Sequence, residues 1–299
     1  MDNTKNIITR RGFIRSGSCV ALGSLMGLPM IGKTAEAASE KSRVVLIRDE
    51  KIFDTTGSVR ENRMETMLDE AVKVLLDSPD AMSAWQQLIR PDDIVGVKSN
   101  VWGYLSTPEA LEKAIVNRAM AIGVDKKNIS IDDRGVLRNA VFKRSTALIN
   151  CRPMRTHHWS GLGTLLKNYI MFVPDPWAYH GNACERLAVI WKKKHLDRKT
   201  RLNILVMLTP LFHGVGPHHF SKTYIWSYGG LIVSADPVAA DATGARIIQS
   251  KRNIFFDKYR PISPPPRHIE AADRKFGLGN SQPERIELIK LGWDKGILI

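Results

Sequence analysis

The feature that most constrains the fold is a regular alternation of short apolar runs with longer stretches of helical periodicity. "RVVLIR" (43–48), "DIVGVK" (93–98), "NISIDD" (128–133), "ALINC" (147–151), "LNILVML" (202–208) and "GLIVSA" (230–235) are rich in β-branched residues and too short for stable helices. Between them, "METMLDEAVKVLLD" (64–77) sets Met64, Met67, Leu68, Ala71 and Leu75 on one helical face. "PEALEKAIVNRAMAIG" (108–123) predicts a second helix, with Thr107 as its cap and Pro108 as its first residue. "LGTLLKNYI" and "ACERLAVIWKKKHL" continue the helical pattern, and a proline-rich link (261–268) leads to a final helix ended by Gly277 and Gly279. Strands and helices in this order predict an α/β fold: a mostly parallel sheet flanked by helices, in one large domain over 38–299.

Parallel sheets bind ligands beyond the carboxyl ends of their strands, so the residues that follow each run are the first candidates for a site. They are Lys98 and Asn100; Asp132 and Asp133; Arg152, Arg155, His157 and His158; His213, His218 and His219; and Asp236. His180, beside Pro174 and Pro176, adds another imidazole. Several histidines helped by a carboxylate suit a divalent metal, although their spacing follows no standard zinc pattern. "GLGTLLKN" (161–168) is a glycine turn entering a helix; it either offers backbone N–H groups to an anion or is a plain loop.

"SADPVAADATG" (234–244) holds two carboxylates with different prospects. Asp236 suits the N-cap of a helix whose first residue is Pro237. At roughly 100° per residue Asp241 lies roughly 140° away from it, so the two do not share a face. Asp241 falls instead among Val238, Gly244, Ala245 and Ile248, on the apolar stripe, where a carboxylate needs a partner. The small residues Ala242, Gly244 and Ala245 let this helix approach the sheet closely.

The chain of 299 residues carries a net charge of +14, which favours anionic partners. Only a small part belongs to residues 1–37, where Lys5, Arg10, Arg11, Arg15 and Lys33 outnumber Asp2 and Glu36. The rest is scattered in small groups such as Lys192–Lys194, without a zinc-finger or RNA-binding signature, so no nucleic acid is expected. "TRRGFIRSG" followed by an uncharged, glycine-interrupted stretch and Ala35-Glu36-Ala37 has the order of a twin-arginine export signal. It implies passage through the twin-arginine translocase, a mature chain from about Ala38 without a stable membrane span, and a periplasmic or otherwise extracytoplasmic location. Cys19 falls inside that signal, leaving Cys151 and Cys184. With no C-x-x-C pair, neither an iron–sulfur cluster nor a c-type haem is ligated by this chain alone, while a Cys151–Cys184 disulfide stays open. No phosphate-binding glycine loop and no serine nucleophile elbow occur.

"VGVKSN", "TPEALEKAI", "ISIDD", "LINCRPMRTH", "LKN", "HGVGP", "SADPVAADATG" and a late "GLG" stand in an order that resembles the family catalogued as domain of unknown function 362. The likeness spans about 43–279. It implies recurrent polar positions at Lys98, Asn100, Asp133, His157, Lys167, Asn168, His180, Asp236 and Asp241. Ser99 stands where a proline is usual, Arg155 where lysine is common, and Thr209 where relatives show an aspartate before glycine. Relatives with twin-arginine signals or fused ferredoxin-type domains imply a separate iron–sulfur redox partner here.

The combined expectation is a crevice for an anionic small molecule. His157, His180, Asp133 and Asp241 are its candidate catalytic groups, and Lys98, Asn100, Lys167, Asn168 and Asp236 its candidate binding groups. His157, His180, His213 and Asp241 are the candidate metal ligands. An enzyme linked to a metal or to redox chemistry, and a non-catalytic periplasmic binding or cofactor-maturation protein, both fit this crevice.

Overall fold

The computed structural model describes residues 41–214, 216 and 220–299; the expected export signal at 1–37, together with His218 and His219, lies outside the described residues. Among the described residues, one sheet is built from β1 (Ser42–Arg48), β2 (Val95–Lys98), β3 (Ile129–Asp132), β4 (Ala147–His157), β5 (Gly161–Gly163), β6 (Thr200–Leu211), β7 (Gly230–Ser234) and β8 (Ile286–Gly292). The strand order is β3-β2-β4-β6-β7-β1-β8, with β5 paired to β4. Pairing is parallel from β3 through β6 and between β1 and β8, while β7 and β5 run antiparallel to their neighbours. The α/β architecture expected from the alternation is present.

Each face of the sheet carries its own apolar layer. On one, Val45, Ile47, Val95, Val97, Ile149, Ile204 and Val233 pack against α1 (Glu61–Leu75), α2 (Ala81–Leu88) and α3 (Glu109–Ile122). All five α1 residues expected on its apolar face are buried. On the other, Val44, Leu46, Leu148, Leu205 and Ile232 meet α4 (Leu165–Asn168), α5 (Leu187–Lys193), α6 (Pro237–Phe256) and α7 (Arg267–Arg274). Each such aliphatic side chain contributes about 1.5–3 kcal/mol when fully buried. Gly244 sets the distance of α6 from the sheet, because a Cβ there would come within 2.5 Å of Leu205 Cδ2.

The departures from expectation have local causes. β4 and β6 continue past Cys151 and Leu208, because pairing with β5 and with each other carries the ladder through polar residues. β8 was not anticipated; it adds to the outer edge of β1 in parallel register. The stretch expected as a helix from Ala183 is broken, with Asn182, Ala183 and Cys184 all at positive φ. Thr107 does not cap α3: its Oγ1 accepts from the Asn100 N–H at 3.1 Å, and Pro108 takes the cap position. No helix among the described residues is long and apolar enough to cross a membrane.

Strand direction also decides where Asp236 lies. Since β7 is antiparallel, its end at Ser234 sits beside Val44 and Asn203, near the starts of β1 and β6. Asp236 therefore lies at the amino edge of the parallel strands, away from their carboxyl ends. As expected, it caps α6, accepting from the N–H groups of Val238 (2.8 Å) and Ala239 (3.2 Å). Its second oxygen accepts from Ser42 Oγ (2.6 Å) and the Asn280 N–H (2.8 Å), joining three distant segments. Asp236→Ala should lower the unfolding free energy by about 1–3 kcal/mol in urea titrations, since cap and amide partners are lost together. A change below about 0.5 kcal/mol would show the bracket to be dispensable.

Candidate functional site

The chain order reverses at β2, which has β3 on one side and β4 on the other, both parallel to it. Such a reversal opens a crevice beyond the carboxyl ends. Lys98 ends β2, Asp133 follows β3, and β4 runs on past both from Arg152 to His157.

The first part of the site is fully paired. Lys98 is buried, and its Nζ donates to Asp133 Oδ1 at 2.5 Å, to the Ser99 carbonyl at 2.7 Å and to Asn168 Oδ1 at 3.3 Å. Burial alone would raise the Asp133 pKa, but the charge and hydrogen bond of Lys98 hold it below the ordinary carboxylate value, so the pair is ionised. Asn168 Nδ2 donates to Asn150 Oδ1 (2.9 Å) and the Cys151 carbonyl (3.0 Å), and Asn150 Nδ2 reaches Asn203 Oδ1 (3.2 Å). Asn100 Oδ1 accepts from Arg155 Nη1 at 2.8 Å, and that guanidinium lies 4.4 Å over the Trp102 ring.

Asp241 is fully buried, and its two oxygens accept the N–H groups of Leu165 and Leu166, each at 2.9 Å. The glycine turn into a helix does hold an anion at its amide groups, and that anion is Asp241 itself. Burial pushes the carboxyl up to about 7, with the Leu166 and Leu165 amides opposing. By fixing the start of α4, Asp241 places Lys167 and Asn168, two and three residues further on.

The second part of the site holds cations that have no carboxylate in ion-pair range among the described residues, although Asp133 and Asp241 act on Arg152, and Asp133 on Arg155, from further away. Arg152 is 4% exposed, yet it makes no hydrogen bond or ion pair with any other described residue. Burial lowers its pKa to about 10. Space for its guanidinium comes from Gly163, where a Cβ would lie 2.9 Å from Arg152 Nη2. Lys167 Nζ lies 3.1 Å from His180 Nε2 and 3.5 Å from Cys184 Sγ; burial brings it down to about 8. His157 is driven far below the ordinary imidazole value by burial and by the charges of Lys167, Arg152 and Arg155. Its Nδ1 accepts the Trp159 N–H at 3.3 Å. Burial also lowers His180, to about 4. Lys98, Arg152, Arg155 and Lys167 thus meet two buried carboxylates here, Asp133 and Asp241.

Of the residues expected at a site, Lys98, Asn100, Asp133, His157, Lys167, Asn168 and His180 fall in this region, with Asp241 behind it. Asp236 and His213 do not. His213 Nδ1 faces Arg252 Nη1 at 3.0 Å, and its ring packs on Tyr224 and Phe256. The four candidate metal ligands do not converge; among the described residues no three His, Cys, Asp or Glu side chains form a metal-binding group. The donors also fit a divalent cation badly, since Asp241 is engaged by two amides, His180 faces Lys167, and His157 lies in the field of Lys167, Arg152 and Arg155. Cys151 and Cys184 are both free thiols, so the disulfide left open is not formed. Thr209 lines a separate cleft of about 190 Å³ with Pro153, Val206 and Leu208.

Arg152 stood among the residues that follow a strand but was not carried into the candidate site, and His268 and Cys184 were not singled out as site residues. "CRPMRTHH" carried a usable signal, a basic run continuing directly from an apolar strand, whereas nothing local marks His268. That residue is fully buried on α7, with Nε2 3.0 Å from Thr164 Oγ1.

Residues 107–246 match the model of a family described as Domain of unknown function (DUF362), which supports the resemblance drawn from the motifs. No curated protein and no solved structure matches the chain.

His268 makes a pH prediction. Burial depresses it to about 3, below an unfolded value of about 6.5, so the unfolded chain binds more protons between these limits. Its contribution to stability is complete above about pH 6.5 and is lost as pH falls towards 3. Urea midpoints should fall between pH 7.5 and pH 5, and His268→Gln should flatten part of that slope. His157 and His180 act in the same direction, while Asp241, raised to about 7, acts against them and reduces the net slope.

Proposed function

We propose that the protein binds an anionic small molecule, carrying a carboxylate or phosphate group, at the Arg152–Arg155–Lys167 cluster. The observation that carries this reading is Arg152, a buried guanidinium with no partner among the described residues. A desolvated charge costs several kcal/mol unless something neutralises it. Arg155 and Lys167 add positive charge beside it, while Asp133 and Asp241 offset that charge only from beyond ion-pair range, which leaves a place for an anionic partner. Planar guanidinium groups bind carboxylate and phosphate through two parallel hydrogen bonds, which explains arginine at both strand positions. Lys98 and Asp133 form the paired wall, and Asn100 anchors Arg155.

The protein acts outside the cytoplasm on this reading, after export by the twin-arginine translocase, with no nucleic acid as partner. The paired Arg10 and Arg11 support that placement, and the absence of cluster-binding cysteines leaves any iron–sulfur redox partner to a separate chain. Replacing both arginines by lysine should hold the protein in the cytoplasm when the cell is fractionated. An unchanged distribution would remove the export proposal.

Two opposite effects of one substitution test the binding site. Arg152→Met should raise the stability of the ligand-free protein by about 1–3 kcal/mol, because an unpaired buried charge is replaced by a side chain of similar length. The same variant should lose the rise in melting temperature that small carboxylates or inorganic phosphate give the parent protein. If Arg152→Met destabilises the protein and keeps that response, the guanidinium braces the fold and the binding proposal fails.

A further inference from the structure

The two buried lysines of the site are both lowered to about 8 by burial, but their neighbours differ. Lys98 Nζ is held by a carboxylate at 2.5 Å and by two oxygen acceptors. Lys167 Nζ has no carboxylate in ion-pair range among the described residues; its neighbours are an imidazole nitrogen and a thiol sulfur. The thiol stays protonated, since burial pushes the Cys184 pKa up. His180 is neutral at physiological pH, so Nε2 is able to accept a proton. A buried lysine with cations for neighbours and no counter-ion is stabilised as the free amine, the form that attacks carbonyl carbon.

We propose that Lys167 forms an imine with a small 2-oxo carboxylic acid whose carboxylate is seated on Arg152, an assignment that rests on the anion-site reading above. The lone pair of Nζ attacks the carbonyl carbon, forming the C–N bond as the C=O pair moves to oxygen, which takes up the first of the two protons that nitrogen loses. His180 Nε2, 3.1 Å from Nζ, accepts the second. It returns that proton to the hydroxyl, which leaves as water while the C=N bond forms. Amine and carbonyl become imine and water, with no oxidant or reductant. His180 is half-buried, and its ring centroid lies 5.4 Å from that of Trp177, which is 68% exposed; the solvent side of Lys167 is therefore the His180 side. The amine that lacks a carboxylate is thus also the one with a proton acceptor in place.

The test is reductive trapping. The purified full chain is incubated at pH 7.5 with glyoxylate, pyruvate or 2-oxoglutarate and cyanoborohydride, then mapped by peptide mass spectrometry. Lactate replaces pyruvate in a control that keeps the carboxylate and removes the carbonyl. With its pKa near 8, Lys167 has an unprotonated fraction on the order of a hundredfold above that of an ordinary lysine, so its adduct should form well before any surface adduct. Lys167→Arg, which keeps the charge but not the amine, should lose that adduct while retaining stabilisation by lactate. If oxo acids and lactate raise the melting temperature alike and Lys167 stays unmodified, the imine is overturned and the anion site stands. If none of them changes the melting temperature and Lys167 reacts no faster than surface lysines, both readings fall. Labelling is done on the parent protein, so these outcomes do not depend on whether the variant folds.

Discussion

The arrangement depends first on the Asp241 carboxylate and the two amides it receives from Leu165 and Leu166. α4 has only one turn, too short to hold itself together, so its position must come from outside. Asp241 supplies that position from α6, and α6 is pressed to the sheet because Gly244 leaves no side chain between helix and Leu205. The next two residues along, Lys167 and Asn168, are then delivered to opposite halves of the crevice. Asn168 closes the Lys98–Asp133 network, and Lys167 faces the arginines. One buried contact therefore couples the sheet, the long helix and the polar centre.

Much of this was legible in the chain. Period-two and period-3.6 patterns separate strands from helices wherever one face is buried, and most elements follow them. Asp236 as cap and Asp241 as a carboxylate on an apolar face also follow from helix geometry. What was not legible is direction and distance. A strand's polarity in the sheet is set by pairing, so the residue after β7 looked like a site residue until β7 proved antiparallel. β8 lies far along the chain from β1, and its half-exposed pattern gives a weak signal. His268 and Cys184 reach the site only through the packing of α7 and the left-handed backbone at 182–184, which no local pattern encodes.

The histidines show why residue type alone misleads. His157, His180 and His213 together suggested a metal, but a divalent cation needs neutral donors in a field that attracts positive charge. Around His157 and His180 the field runs the other way: burial keeps both rings neutral, Lys167 opposes positive charge on each, and Arg152 and Arg155 do so at His157. The same surplus of charge that disfavours a metal supports the proposed anion.

The contrast between the two lysines carries that logic one step further. Both are buried and both are lowered by desolvation, so burial does not distinguish them. Their neighbours do. Lys98 has a carboxylate that answers its charge, and three oxygen acceptors occupy its nitrogen. Lys167 has only acceptors that leave it free to lose a proton, beside a guanidinium that itself lacks a partner. A protein gains no stability from leaving Arg152 and Lys167 this way, and apolar residues would fill the same volume at lower cost. Stability therefore does not account for these two side chains, whereas an anionic ligand that pairs with one and presents a carbonyl to the other does.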